Sequence, residues 1–243
     1  RYWPCDVHVI GKDILRFHAG YWIGMLLSAG VPVPKAIYVH GFVTSEGQKM
    51  SKSLGNVVDP LEYVEKYGVD PLRYYLLREI PTCDDGDFSK DRFEGLYSGE
   101  FANNFGNLIS RVCAMTVKYF DGKVPGETPG EGVSVKVVST WRDYHENFGK
   151  FDLKAAIECV LKLSDFANTY VEEKKPWVLA KENTNELSDV MYNLLEMIRH
   201  IALMLFPVVP ETAEKILSQL SFEISGASFA DLEKWGVLKS GSS

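Results

Sequence analysis

Five consecutive residues, Lys49-Met50-Ser51-Lys52-Ser53, carry the most specific chemistry in this sequence, inside the polar stretch Gly47 to Asn56. Lys49 and Lys52 put two ammonium groups three residues apart on a glycine-flanked loop. A lysine is a compact point charge on a flexible stem, so such a loop can swing onto a polyphosphate and draw back as a reaction proceeds. Donors aimed at the charge that develops on a leaving pyrophosphate are usually the largest catalytic term, and losing one costs ~10²–10³ in rate in comparable sites. A solvated lysine–serine loop would explain a bare pair of lysines, but all five residues in order after a strand are far more specific.

The elements that must hold this loop are legible on both sides of it. Asp6 to Ile10 alternates polar and apolar residues like a strand, Gly11-Lys12-Asp13 opens an amphipathic helix from Ile14 to Ser28, and Gly30 and Pro32 end it. Ala36 to Thr44 is rich in β-branched and aromatic residues and runs into the polar loop Ser45 to Gly47. Strand, helix, strand and loop in this order belong to a parallel α/β sheet, in which ligands bind beyond the carboxyl ends of the strands. After Pro60 the pattern is helical, apart from an irregular patch at Pro81 to Ser89. Phe101, Phe105, Leu108, Val112, Met115 and Tyr119 step by four and three along one helix face, which Asp121-Gly122 stops. A Pro/Gly-rich surface loop follows, and further helices are predicted around 137–147, 153–170, 187–205 and 211–220. The predicted fold class is α/β followed by an all-α helical bundle.

The bundle offers a second group of residues. Asn107 and Arg111 lie four apart on one helix, beside its apolar stripe, with Asn104 and Lys118 extending the polar face. An amide and a guanidinium can hydrogen-bond base edges, and Trp177, directly after a proline, offers a flat surface. Sequence-specific RNA recognition targets unstacked bases by stacking and edge contacts, and stacking is worth ~1–3 kcal/mol per base. From spacing alone, a solvated helix face and a core tryptophan are the better descriptions.

The formal net charge is −7, from 26 Lys+Arg against 33 Asp+Glu. Residues 1–92 carry −1 of it and the bundle −6. This excludes a protein that recruits nucleic acid by bulk positive charge. The four cysteines are scattered without a C-x-x-C pair, so neither a disulfide framework nor a zinc site is expected. No apolar run approaches the roughly 20 residues of a membrane helix, and the start of the chain lacks signal-peptide features. The expectation is a cytoplasmic protein with no membrane partner, an organelle remaining open.

Lys49-Met50-Ser51-Lys52-Ser53 resembles the second signature of the class I aminoacyl-tRNA synthetases, which activate an amino acid with ATP on a Rossmann-type domain and transfer it to tRNA. With Leu54-Gly55-Asn56 and Asp59-Pro60 it also fits the valyl, isoleucyl, leucyl and cysteinyl enzymes. The segments Ile10-Gly11-Lys12-Asp13-Ile14, Phe17-His18, His40-Gly41-Phe42-Val43-Thr44, Asp85-Gly86-Asp87-Phe88-Ser89, Asn104-Phe105-Gly106-Asn107-Leu108 and Lys175-Pro176-Trp177 resemble the methionyl family. The resemblance implies that Gly11 and Asp13 receive the ATP ribose, that Val43 meets the adenine, and that Lys52, assisted by Lys49, acts on the phosphates of ATP with Mg²⁺. It implies that Ile14 and His18 wall the methionine side chain, although His18 alone reads as a core histidine and Asp13 alone as a plain helix start. For Asn107, Arg111 and Trp177 it implies reading of the CAU anticodon of tRNA-Met.

The implied organisation is a C-terminal half of the Rossmann-type catalytic domain over residues 1–60, a connecting, stem-contacting segment over 61–92, and an anticodon-binding helical bundle over 93–243. The family's His-Ile-Gly-His motif is absent, since His8-Val9-Ile10-Gly11 lacks the second histidine. The chain therefore reads as the C-terminal half of such an enzyme, without zinc, inactive in the absence of its N-terminal half. A non-catalytic tRNA-binding module is the alternative of a different class.

Overall fold

The computed structural model describes residues 3–51, 53–126, 131–182, 184–224, 226 and 228–242. Strands β1 (Val7–Gly11) and β2 (Ala36–His40) pair in parallel, with Val7 opposite Ala36 and Gly11 opposite His40. The connection between them is a 3-10 turn (Lys12–Ile14), a wide π-helical stretch (Arg16–Tyr21) and α1 (Trp22–Ser28). The regular helix expected from Ile14 to Ser28 is thus broken into three geometries. His18 Nδ1 lies 3.1 Å from the Ile14 carbonyl, the acceptor that the His18 N–H would use in a regular α-helix, so the ring competes for it where the helix widens. Gly30, at φ +66, closes α1, with Val31 N–H donating back to Leu26.

The single strand expected over Ala36 to Thr44 is two strands in two sheets. After β2 the chain passes Gly41-Phe42 and enters β3 (Val43–Ser45), which pairs antiparallel with β4 (Gln48–Lys49) and parallel with β5 (Gly86–Phe88). Gly41 permits the change of partner: a Cβ there would stand 2.0 Å from the Asp84 carbonyl oxygen, so only a glycine lets the two backbones pass. Within Pro81 to Ser89, expected to be irregular, lies β5. Three residues are too few to show a period, and pairing with β3 makes them a strand.

Helices α2 (Pro60–Tyr67) and α3 (Val69–Glu79) follow, the first capped by Asp59, whose Oδ1 accepts the Leu61 N–H at 2.9 Å. Then come α4 (Lys90–Leu96), a π-helical stretch (Tyr97–Gly106) and α5 (Asn107–Phe120), which ends at Asp121 in the left-handed region as expected. The bundle continues through α6 (Glu131–Gly149), α7 (Leu153–Lys174), α8 (Pro176–Glu182), α9 (Thr184–Leu205), α10 (Pro210–Gln219) and the short α11 (Phe229–Leu232).

Helix α9 is the axis of the larger core, with Met191, Leu194, Ile198 and Ala202 fully buried. A smaller core of Leu72, Tyr75, Phe88, Phe93 and Leu96 joins β5 to α3 and α4, and Val43 and Met50 pack on it. The Arg73 guanidinium donates to the carbonyls of Val208 and Pro207 at 2.8 and 2.9 Å, and Asp70 accepts the Thr212 N–H at 2.6 Å, so α3 is fastened to the α9–α10 corner. Among the described residues no helix is long and apolar enough to cross a membrane.

Candidate nucleotide site and RNA-reading corner

Lys49 ends the outer strand, β4, of a hairpin with β3. Glu46 and Gly47 form its two-residue turn, both with positive φ, the backbone that matches the twist of the flanking strands. Asp87, on β5, holds the hairpin base: its Oδ1 accepts from Thr44 Oγ1 at 2.6 Å and from the Gly47 N–H at 2.8 Å. Asn56 clasps the other side, accepting the Ser51 N–H at 2.8 Å and donating to the Lys49 carbonyl at 3.2 Å. Lys49 is exposed on this frame. Lys52 lies outside the described residues.

Gly11 ends β1, and Asp13 folds back over it, since a Cβ on Gly11 would meet Asp13 Oδ1 at 2.8 Å and the His40 ring at 3.6 Å. A bare backbone beside an exposed carboxylate at the carboxyl end of a parallel strand can receive a polyol. Val43 directs its side chain to the smaller core, so a ligand there would meet its backbone. His18 helps line a cavity of about 460 Å³ with Trp3, His8, Phe17, Tyr21, Trp22 and Met25. Its ring stands edge-on to His8 with centroids 6.0 Å apart. Ile14 touches His18 through its carbonyl and does not line this cavity.

In the bundle, Asn107 is exposed on the first turn of α5. Arg111 Nη2 donates to Glu172 Oε1 at 2.6 Å, which carries the guanidinium to the last turn of α7. Lys175 then adopts φ +46 and Pro176 opens α8, and this corner presents Trp177 with 39% of its surface exposed. Arg111 and Trp177 therefore flank one corner. Asn104 does not extend the polar face as expected: its amide donates to Asp165 at 2.7 Å and accepts from Ser164 at 2.5 Å and Asn168 at 3.1 Å, tying the π-helical stretch to α7.

Sequence reasoning missed Asp87, Asp85, Lys12 and Phe42 as parts of the site. The hydrogen bonds that join Asp85 to Lys12 and Phe42, and Asp87 to Thr44 and Gly47, span 40 or more residues, and no spacing rule connects them.

Residues 1–113 match the family model described as tRNA synthetases class I (M), and residues 134–241 match that of the anticodon-binding domain of tRNA ligase. A methionine–tRNA ligase of Thermotoga maritima is 43% identical over all of this chain, and one of Rickettsia felis is 40% identical over all of it. The structure of Mycobacterium tuberculosis methionyl-tRNA synthetase in complex with methionyl-adenylate is similar with a TM-score of 0.91 and 38% identity, over 99% of this chain and 48% of that one. Over its whole length this chain matches the C-terminal part of methionyl-tRNA synthetases. Class I synthetase sequence is followed by anticodon-binding-domain sequence, in agreement with the α/β and all-α parts expected. The chain spans 39% of the length of the Thermotoga maritima relative and 49% of that of Rickettsia felis. Among the described residues no cluster of three or more His, Cys, Asp or Glu side chains could hold a metal ion.

Proposed function

We propose that this chain works as the C-terminal part of a methionine–tRNA ligase, which joins methionine to ATP with loss of pyrophosphate and then passes the methionyl group to tRNA-Met. The observation that carries the reading is the combination, in one chain of this family, of a lysine hairpin clamped by Asp87 and Asn56 with an exposed Trp177 at the Arg111 corner. Lys49 and Lys52 act on the phosphates of MgATP, Gly11 and Asp13 take the ribose, and the Val43 backbone meets the adenine. His18, with Ile14 behind it, walls the methionine side chain, and the 460 Å³ cavity that His18 lines is of a size and apolarity to take a thioether. Asn107, Arg111 and Trp177 read the CAU anticodon. Residues 1–60, 61–92 and 93–243 serve as catalytic segment, connector and anticodon reader.

Activation requires the remainder of the catalytic domain. Val9, Met25 and Leu27 are 65%, 63% and 66% exposed, and Phe17 and Tyr21 lie open beside them. A two-stranded parallel sheet with an uncovered apolar face is incomplete, because parallel sheets are covered on both faces. The partner that fits is the N-terminal half of the catalytic domain, with its His-Ile-Gly-His motif. Methionine-dependent ATP–pyrophosphate exchange, assayed with and without that half added in trans, tests the reading. Exchange is expected only with both parts, and a normal rate from this chain alone, or none from the mixture, would overturn it.

A further inference from the structure

The phosphate role of Lys49 leaves open where this lysine waits before phosphate arrives, and the inference below rests on that role and extends it. Lys49 Nζ stands 5.0 Å from the centroid of the Phe42 ring, and Lys12 Nζ stands 4.5 Å from the same centroid. Two ammonium groups on one ring repel unless one is neutralised. Asp85 neutralises Lys12, with its two oxygens 2.5 and 2.6 Å from Nζ, and also accepts the Phe42 N–H at 2.7 Å. One carboxylate thus fixes the backbone of the ring and discharges the ammonium beside it. Lys49 has no carboxylate within ion-pair distance among the described residues, and its backbone is held by Asn56 while its side chain is exposed.

We propose that Phe42 is a positioning residue whose π face holds the Lys49 ammonium in the unliganded protein and yields it to a polyphosphate. A π face is suited to this role. It attracts a cation weakly at an exposed site, whereas a carboxylate in the same place would compete with phosphate for the lysine. The lysine is kept over the Phe42 ring, too weakly held to resist capture by a polyphosphate.

The test uses this chain with its lysines reductively ¹³C-methylated, the Lys49 signal being assigned by its loss in Lys49→Gln. In the native chain the methyl resonance of Lys49 is expected upfield of the other lysines, from the ring current of Phe42. Phe42→Leu should return it to the common position and Phe42→Tyr should leave it upfield. Tripolyphosphate added to the native chain should move it downfield, and apparent affinity for tripolyphosphate should rise roughly two- to five-fold in Phe42→Leu and stay unchanged in Phe42→Tyr. A native Lys49 resonance without an upfield shift, or an upfield shift surviving in folded Phe42→Leu, overturns the holding contact. A shift that tripolyphosphate leaves in place overturns the release. The native spectrum decides the first point even if Phe42→Leu fails to fold. Absence of pyrophosphate exchange in the reunited enzyme would defeat the functional reading separately, without touching the resonance.

Discussion

Trp177 shows how little helical spacing alone decides about a residue's placement. Spacing alone favoured a core position, but Lys175 in the left-handed region and Pro176 turn the chain so that the indole faces solvent. Trp177→Ala is expected to weaken binding of a tRNA carrying a CAU anticodon by roughly ten-fold, within the ~1–3 kcal/mol of one stacked base, and to leave a tRNA with an unrelated anticodon unchanged. Filter binding of the two tRNAs checks this. His200 offers a second test. It is wholly buried, Trp141 Nε1 donates to its Nδ1 at 2.9 Å, the Arg199 guanidinium stands 2.8 Å from its Nε2, and Glu196 Oε2 lies 3.5 Å from the same nitrogen. Desolvation above all, together with the Arg199 charge, lowers its pKa to about 4. The unfolded chain therefore takes up this proton first as pH falls, so stability should decline from about pH 6.5 and level off below about pH 4, losing about 3 kcal/mol in all. Burial pushes the Glu196 carboxyl up, but His200 and Arg199 outweigh it and hold it at about 2, which adds a further loss between about pH 4.5 and pH 2. A urea midpoint that stayed level between pH 7 and pH 4.5 would contradict the His200 assignment.

The helices were the most legible elements and the short strands the least. Helix α9 runs over Thr184–Leu205, and Leu187, Met191, Leu194, Ile198, Ile201 and Leu205 repeat along it at helical spacing, enough turns for a period to show. Strands β3, β4 and β5 have three, two and three residues, and their pairing is long-range, so no local pattern marks them. Gly41 belongs to this scale, since the close approach of Asp84 is what separates β2 from β3. Gly41→Ala is expected to destabilise the protein by about 1–3 kcal/mol through forced displacement of the 84–86 backbone, read as a lower denaturation midpoint with disturbed β5 amide resonances. Asp152, by contrast, caps α7 by accepting the Ala155 N–H at 3.0 Å. Asp152→Ala should cost about 1 kcal/mol in the same denaturation experiment without disturbing β5.

For the molecule as a whole, charge and cover are the governing quantities. The net charge of −7 lies mostly on the bundle that carries the proposed RNA-reading corner, so sequence-blind phosphate attraction is small there. Affinity for tRNA should accordingly fall less steeply with salt than that of a basic DNA-binding domain. A log–log slope near the −0.9 per neutralised phosphate of a protein with six or more phosphate contacts would refute this. The apolar face around Met25 and Leu27 makes the complementary point, because the sheet beside it is two strands wide and these side chains lie exposed.

By itself the sequence determined the family resemblance, the order of strand, helix and lysine loop, and the helical bundle, since each of these is written in adjacent residues or in a period of three and four. It placed Lys49 in a polar loop whose lysine spacing suits a polyphosphate, and it placed Asn107 and Arg111 on one face. Only the tertiary structure decided that Asp87 and Asn56 clamp the hairpin, that Asp85 neutralises Lys12 beneath the Phe42 ring, that Asn104 is spent on packing α7, and that Glu172 steers Arg111 toward the Trp177 corner. These partnerships are short-range in space and mostly long-range along the chain. A hydrogen bond acts over about 3 Å, and a linear sequence does not record which distant residues folding brings within that reach.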